Sequence, residues 1–293
     1  MENVIKISNL TKSYGKSRGV INLNLSVKKG DIFGFMGPNG AGKSTTIRTM
    51  LGLIKPTNGK IDIFQKDATK YTVDILKNTG YMPSEAMFYS NLKVEEIIKL
   101  SASIHKKDCS VYAKELCQRL EVDTKKKIEE LSLGNRKKVS IVCAMQHKPD
   151  LYILDEPTSG LDPLMQNEFF KLLLEQNKEG ATIFLSSHVL SEIQRYCNNV
   201  AIIREGCIIA VDTVANLSNT NAKKIKLTGI NSLPEITGIT GVVREHGYTT
   251  FLYNGKIQNL VRVLSQIEYD DLTIEEPSLD EIFIHYYEKE DKQ

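Results

Sequence analysis

Residues 3–9 and 20–27 alternate apolar and polar side chains, the period of strands with one buried face. Residues 31–36 and 151–154 are short apolar runs, as strands buried on both faces require. Residues 60–65 and 182–185 are two further strand candidates. Helices are expected over 45–53, 93–106, 110–120, 135–147, 163–176 and 189–197. In the 135–147 segment, Val139, Val142 and Cys143 share one face. Strands alternating with helices predict an α/β domain with a largely parallel sheet, interrupted by a helical insertion at about 86–130.

The texture changes after about Asn216. The stretch 218–224 is small and polar, a linker composition. Strand patterns follow at 225–229, 239–245, 248–253 and near 271–275. A helix is expected at 256–267, with Ile257, Leu260, Val261, Leu264 and Ile267 on one stripe, and a last helix from Leu279. We therefore expect one domain over 1–217 and a small α+β accessory domain over 223–293. The second carries no motif with assignable chemistry.

At 41% hydrophobic and 25% charged residues, the chain has the balance of a folded protein with a sizeable core. A net charge of +2 provides no global field for nucleic acid or a membrane surface, and no nucleic-acid partner is expected. Five dispersed cysteines without Cys-x-x-Cys spacing point to a reducing compartment. The N-terminus lacks a signal-peptide layout, and no apolar run approaches the ~20 residues that span a bilayer.

The chemistry concentrates in two places. Residues 37–45 read Gly37, Pro38, Asn39, Gly40, Ala41, Gly42, Lys43, Ser44, Thr45, which fits a phosphate-binding loop between a strand and a helix. Such a loop aims backbone N–H groups and a helix dipole at an anion. Lys43 can reach the outer phosphates, and the Ser44 hydroxyl can ligate Mg²⁺. The second place is the apolar strand 151–154 followed by Asp155 and Glu156. A strand ending in carboxylates delivers them to the sheet edge where the phosphate loop sits. Asp155 can hold Mg²⁺, and Glu156 is suited to polarise water for attack on the γ-phosphate. Farther on, Ser132 occupies an N-cap position before the 135–147 helix, with Arg136, Lys137 and Lys138 in its first turn. Cations at that end suggest a nearby anion or, alternatively, a solvated basic face.

With both halves of the site in view, residues 3–215 resemble the ATP-binding-cassette (ABC) ATPases that drive membrane transporters, a P-loop NTPase fold. The resemblance rests on motif order. Tyr14 matches the aromatic residue that stacks on adenine. Leu131-Ser132-Leu133-Gly134-Asn135 matches the signature sequence, Ser159 to Asp162 the loop that crosses between subunits, and His188 the γ-phosphate histidine. It implies ATP and Mg²⁺ as cofactors and a second copy whose Ser132 and Gly134 cap the ATP. It also implies a membrane-spanning permease touched by the helical insertion, and a cytoplasmic place on the inner membrane face. Two departures stand out. Leu133 and Asn135 replace the usual Gly and Gln, and Ser84 replaces the usual Gln that ligates Mg²⁺. We expect Ser84 to act through water, with Glu85 facing the permease. The stretch 80–85, the Leu-Gly-Asn signature and the ending 276–283 resemble bacterial drug and bacitracin-type exporters. The alternative is a permease-free ATPase of this class acting on ribosomes or DNA. A single cassette without a long heptad run speaks against it. No Asn/Thr-Lys-x-Asp motif supports a GTPase.

Overall fold

Alternation in the first 28 residues becomes an antiparallel pair, β1 (Asn3–Tyr14) on β2 (Ser17–Lys28), with β4 (Asn58–Ile63) on the other side of β1. The buried residues Ile5, Ile7, Leu10, Leu23 and Leu25 fill one face of this sheet. The short β5 (Lys66–Asp67) completes its four strands. The computed structural model describes residues 2–275 except 16, 219–221, 231, 232, 234, 235 and 246. The helix expected from Leu279 lies outside the described residues.

The apolar runs form a second, six-stranded sheet, for which β3 (Ile32–Met36) is a central strand. Between β3 and β4 stands α1 (Lys43–Met50), and α2 (Thr72–Lys77) precedes β6 (Thr79–Met82). The insertion holds α3 (Val94–His105), α4 (Ser110–Arg119) and a 3-10 turn at Ile128–Glu130. Then come α5 (Leu133–Met145), β7 (Leu151–Asp155), α6 (Pro163–Lys178), β8 (Thr182–Ser187) and α7 (Leu190–Tyr196). Strands β9 (Asn199–Arg204) and β10 (Cys207–Thr213) close the sheet, in the order β10-β9-β3-β8-β7-β6. Pairing is parallel from β9 through β3, β8 and β7 to β6. Every residue of β3, β7 and β8 is buried, as expected of parallel strands covered on both faces.

The parallel register decides where the chemistry falls. Met36 lies beside Ser187, Asp155 beside Ser186, and Leu154 beside Met82. Four neighbouring strands thus end at one edge, and each continues into a segment singled out from the sequence. The phosphate loop follows β3, Glu156 follows β7, His188 follows β8, and Pro83 and Ser84 follow β6. This is the carboxyl edge at which open α/β sheets bind ligands.

The chain divides into two compact units, Met1–Asp212 and Thr213–Gln293. The division falls a few residues before the 217–223 boundary read from composition. The second unit begins with α8 (Val214–Ser218) and β11 (Ala222–Thr228). It continues through β12 (Ile239–Glu245), β13 (Tyr248–Asn254), α9 (Ile257–Leu264) and β14 (Asp271–Glu275). Its antiparallel sheet has the order β12-β13-β11-β14. Ile225, Leu227, Phe251, Tyr253, Leu260 and Leu264 form its core. The predicted stripe on α9 is only partly buried: Leu260 and Leu264 face the core, while Ile257 and Val261 are exposed. All five cysteines are free. Among the described residues, no helix is long and apolar enough to cross a membrane.

Candidate nucleotide site

The phosphate loop is shaped by its glycines. A Cβ on Gly37 would lie 2.3 Å from the Ile203 carbonyl oxygen, so β3 can end against β9 only with glycine there. Gly40 (φ 79°) and Gly42 (φ 109°) occupy the left-handed region that favours glycine. Pro38, Asn39 and Gly40 form an exposed crest, and Ala41 is buried beneath it. Helix α1 starts at Lys43, two residues earlier than its spacing suggested, with Gly42 as N-cap. Thr46 N donates to Gly42 O at 2.9 Å and closes the first helical turn. The N–H groups of Lys43, Ser44 and Thr45 precede that bond and lack helical acceptors, which suits them to an anion.

Lys43 folds back over the loop. Its buried ammonium donates to Gly37 O (2.6 Å) and Pro38 O (3.2 Å). It also stands 3.1 Å from Glu156 Oε1, an ion pair that leaves this oxygen without an aligned hydrogen bond. The other carboxylate oxygen of Glu156 meets His188 Nδ1 at 2.7 Å. Glu156 N donates to Ser186 O (3.2 Å) and Ser186 Oγ (3.1 Å). This pinning holds Glu156 at φ 49°, a strained backbone for a residue with a side chain. Lysine, glutamate and histidine, from the segments that follow three different strands, therefore form one contiguous chain of polar contacts.

Asp155 is fully buried. Ser186 Oγ donates to its Oδ1 at 2.7 Å, and Oδ2 has no partner. A buried orphan carboxylate oxygen is costly, and a hard cation is one group that satisfies it. Mg²⁺ usually takes only one or two carboxylates and completes its shell with phosphate and water. Asp155 and the Ser44 hydroxyl suit that pattern. Among the described residues, no group of three or more His, Cys, Asp or Glu is poised as a metal cage.

Ser132 is the N-cap of α5, its hydroxyl accepting from Asn135 N at 3.3 Å. Gly134 packs so closely that a Cβ would lie 2.7 Å from the Gly160 carbonyl oxygen. Asp162 caps α6, accepting from Met165 N at 3.0 Å, and is itself exposed. Tyr14, at the end of β1, is 46% exposed, with the Lys12 ammonium 5.0 Å from its ring centroid. Glu85 is exposed and Ser84 half-buried.

The basic turn after Ser132 is not a solvated face. Arg136 Nε donates to Leu131 O at 3.1 Å, and Lys138 is buried. Lys137 is only 1% exposed; its ammonium donates to Ser84 O (2.8 Å) and Pro83 O (3.3 Å). Burial pushes its pKa down to about 8, while Asp155 and Glu156 oppose that shift. Read from sequence, this residue counts with the surface cations. The available signal is position: it lies five residues after the N-cap, on the same side as the buried Ser140 and Ile141.

Comparison with known proteins accords with this geometry. Residues 20–159 match the family model described as ABC transporter. The chain is 43% identical over 230 residues to the bacitracin transport ATP-binding protein BcrA of Bacillus licheniformis, covering 77% of this chain and 75% of that protein. It superimposes with a TM-score of 0.68 on the ATP-binding subunit of an ABC transporter, 30% identical, covering 73% of this chain and 91% of that one. A dimeric bacterial ABC transporter cassette gives a TM-score of 0.65 at 25% identity, over 72% of this chain and 98% of that one. Taken with a phosphate loop, an orphaned Asp155 and a Glu156–His188 contact at one sheet edge, these similarities mean that the chain belongs to the ABC transporter family, as one of its ATP-binding, ATP-hydrolysing subunits.

Proposed function

We propose that this chain is the ATPase of an exporter whose membrane span lies in a separate permease, and that it works as two copies with ATP·Mg²⁺ between them. The observation that carries the hydrolytic part is the Lys43–Glu156–His188 chain beside the unpartnered Asp155 oxygen. Before nucleotide arrives, Glu156 is occupied by both neighbours. A γ-phosphate attracts Lys43 and His188, both of which carry or can carry positive charge. That draws them off Glu156 and leaves its carboxylate to accept a proton from water. Ser44 and Asp155 would hold Mg²⁺, whose charge offsets that of the phosphates. Ser132 and Gly134 of the second copy would cap the nucleotide, so the γ-phosphate favours the closed pair through contacts absent from the open one.

The export reading is supported by the similarity to BcrA, whose name concerns bacitracin transport. Contact with a permease is supported by the insertion. A groove of about 440 Å³ runs beside α3 and the segment after Ser84, lined by Met87, Phe88, Tyr89, Leu100 and Ile104. Of these, Met87, Tyr89, Leu100 and Ile104 are exposed, an apolar cluster larger than scattered surface residues explain. Such a contact would keep the chain on the inner face of the membrane. The test is reconstitution with a candidate permease, a separate chain with about six hydrophobic spans. Peptide-antibiotic resistance that needs both chains, and is lost with Glu156→Gln, is the expected result. Full activity in cells lacking any permease would overturn the export reading and favour a permease-free ATPase.

A further inference from the structure

Lys137 presents a physical problem. An ammonium taken out of water is costly unless charge or hydrogen bonds compensate it. Among the described residues, no carboxylate lies within ion-pair distance of it. Its hydrogen bonds go to two main-chain carbonyls, those of Pro83 and Ser84. Asp155 and Glu156 stand farther off, close enough to favour its charge. Lys137 therefore depends on the segment after β6 staying where it is. A shift of that segment by about an ångström would stretch both bonds beyond hydrogen-bonding range and leave a buried charge unsatisfied.

The two ends of this contact face different tasks. The segment after β6 sits at the sheet edge with Asp155, Glu156 and His188 of the same chain. Helix α5, which carries Lys137, begins at Ser132 and Gly134, the residues proposed above to cap the second copy's nucleotide. Ser84 has a short side chain, so its position depends on its backbone, and the Lys137 ammonium grips that backbone.

We propose that Lys137 is the positioning residue that locks Pro83 and Ser84 to α5, so that nucleotide in a chain's own site sets the angle at which that chain presents Ser132 and Gly134 to its partner. This inference rests on the two-copy site of the proposed function. It assigns Lys137 no contact with nucleotide and no chemical step. Its loss should leave ATP affinity of the single chain intact while weakening the pairing and turnover that depend on bound ATP.

The test uses the full chain with Glu156→Gln, which should trap the ATP-bound pair. MgATP affinity is measured by calorimetry under dilute conditions and pairing by light scattering. Adding Lys137→Met, which fills the same space without charge or donors, should leave nucleotide affinity unchanged. It should raise the dissociation constant of the ATP-bound pair at least ~10-fold, the size expected for losing hydrogen bonds to a charged group. With Glu156 intact, Lys137→Met should lower kcat with little change in KM. Lys137→Arg, which retains charge and donors, should recover more pairing than Lys137→Gln. If Lys137→Met does not fold, the order of Arg over Gln decides the matter. Unchanged pairing with Met, equal pairing for Arg and Gln, or loss of ATP affinity together with pairing would each overturn the proposal. Failure of the Glu156→Gln parent to pair would instead defeat the two-copy reading itself.

Discussion

Tyr14 stands half-exposed at the end of β1, and one cation, Lys12, already lies over its ring. If adenine stacks there, Tyr14→Phe should bind ATP as the parent does. Tyr14→Ala should lose about 1–2 kcal/mol, within the ~1–3 kcal/mol that an aromatic ring contributes on a base. Calorimetry with ATP separates the two, and negligible losses for both would make Tyr14 an ordinary surface residue. Ser84 and Glu85 allow a second comparison. Ser84→Gln should keep or raise ATPase activity, since the longer amide can reach the metal directly. Glu85 is exposed, so Glu85→Ala should spare hydrolysis by the isolated chain and impair transport with the permease. If hydrolysis by the isolated chain disappears in Glu85→Ala, the roles of the two residues are reversed. At this scale the sequence is most legible where spacing dictates geometry. Gly37 to Thr45 and the Asp155–Glu156 pair can be read directly, because loop and strand end carry their own context. Lys137 cannot. Its burial comes from the turn of α5 toward the segment after β6, a tertiary contact 53 residues away in sequence.

At the scale of elements, α3 and α5 end against each other. His105 and His147 stack with ring centroids 3.6 Å apart and an interplanar angle of 10°. Neither ring nitrogen of His147 has an aligned hydrogen-bond partner. Burial, then the neighbouring His105 and the Lys107 ammonium, hold the pKa of His147 down to about 4. Burial lowers that of His105 as well. The unfolded chain takes up these protons near pH ~6.5, before the folded one does, so stability is full above that pH and declines as pH falls toward about 4. His147→Phe preserves the ring and removes the titration. Its urea midpoint should drop less between about pH 7 and about pH 4.5 than the parent's; an equal drop would show that this pair does not set the acid limit. The same region shows what the hydrophobic pattern conceals. Strand β6 has four residues, one of them glycine, and reads in sequence only as a motif. Strand β9 begins three residues after α7, with no glycine or proline between, so its apolar run merges with the helix before it. Long periodic segments such as α5 and α6 are legible because several turns repeat the signal. Short central strands have only the sheet around them to distinguish them.

On the scale of the whole molecule, the separation into two units places every proposed nucleotide residue in Met1–Asp212. Ending the chain after Asn219 should leave a folded protein that binds ATP with unchanged affinity, by circular dichroism and calorimetry. An insoluble or non-binding product would mean that the second unit shares the core of the first. The second unit's own role is not legible, because its apolar residues build a small sheet and its core without gathering a chemical motif. Glu156 is fixed between Lys43 and His188 at the edge where four strands end, in position to act as the general base. That role is tested by measuring ATP turnover and molecular mass together, with Mg²⁺, in the parent and in Glu156→Gln. Glu156→Gln should lose turnover by at least ~10²-fold, the contribution of a general base, while still binding ATP and accumulating as an ATP-bound dimer. Hydrolysis at the parental rate in Glu156→Gln would contradict it.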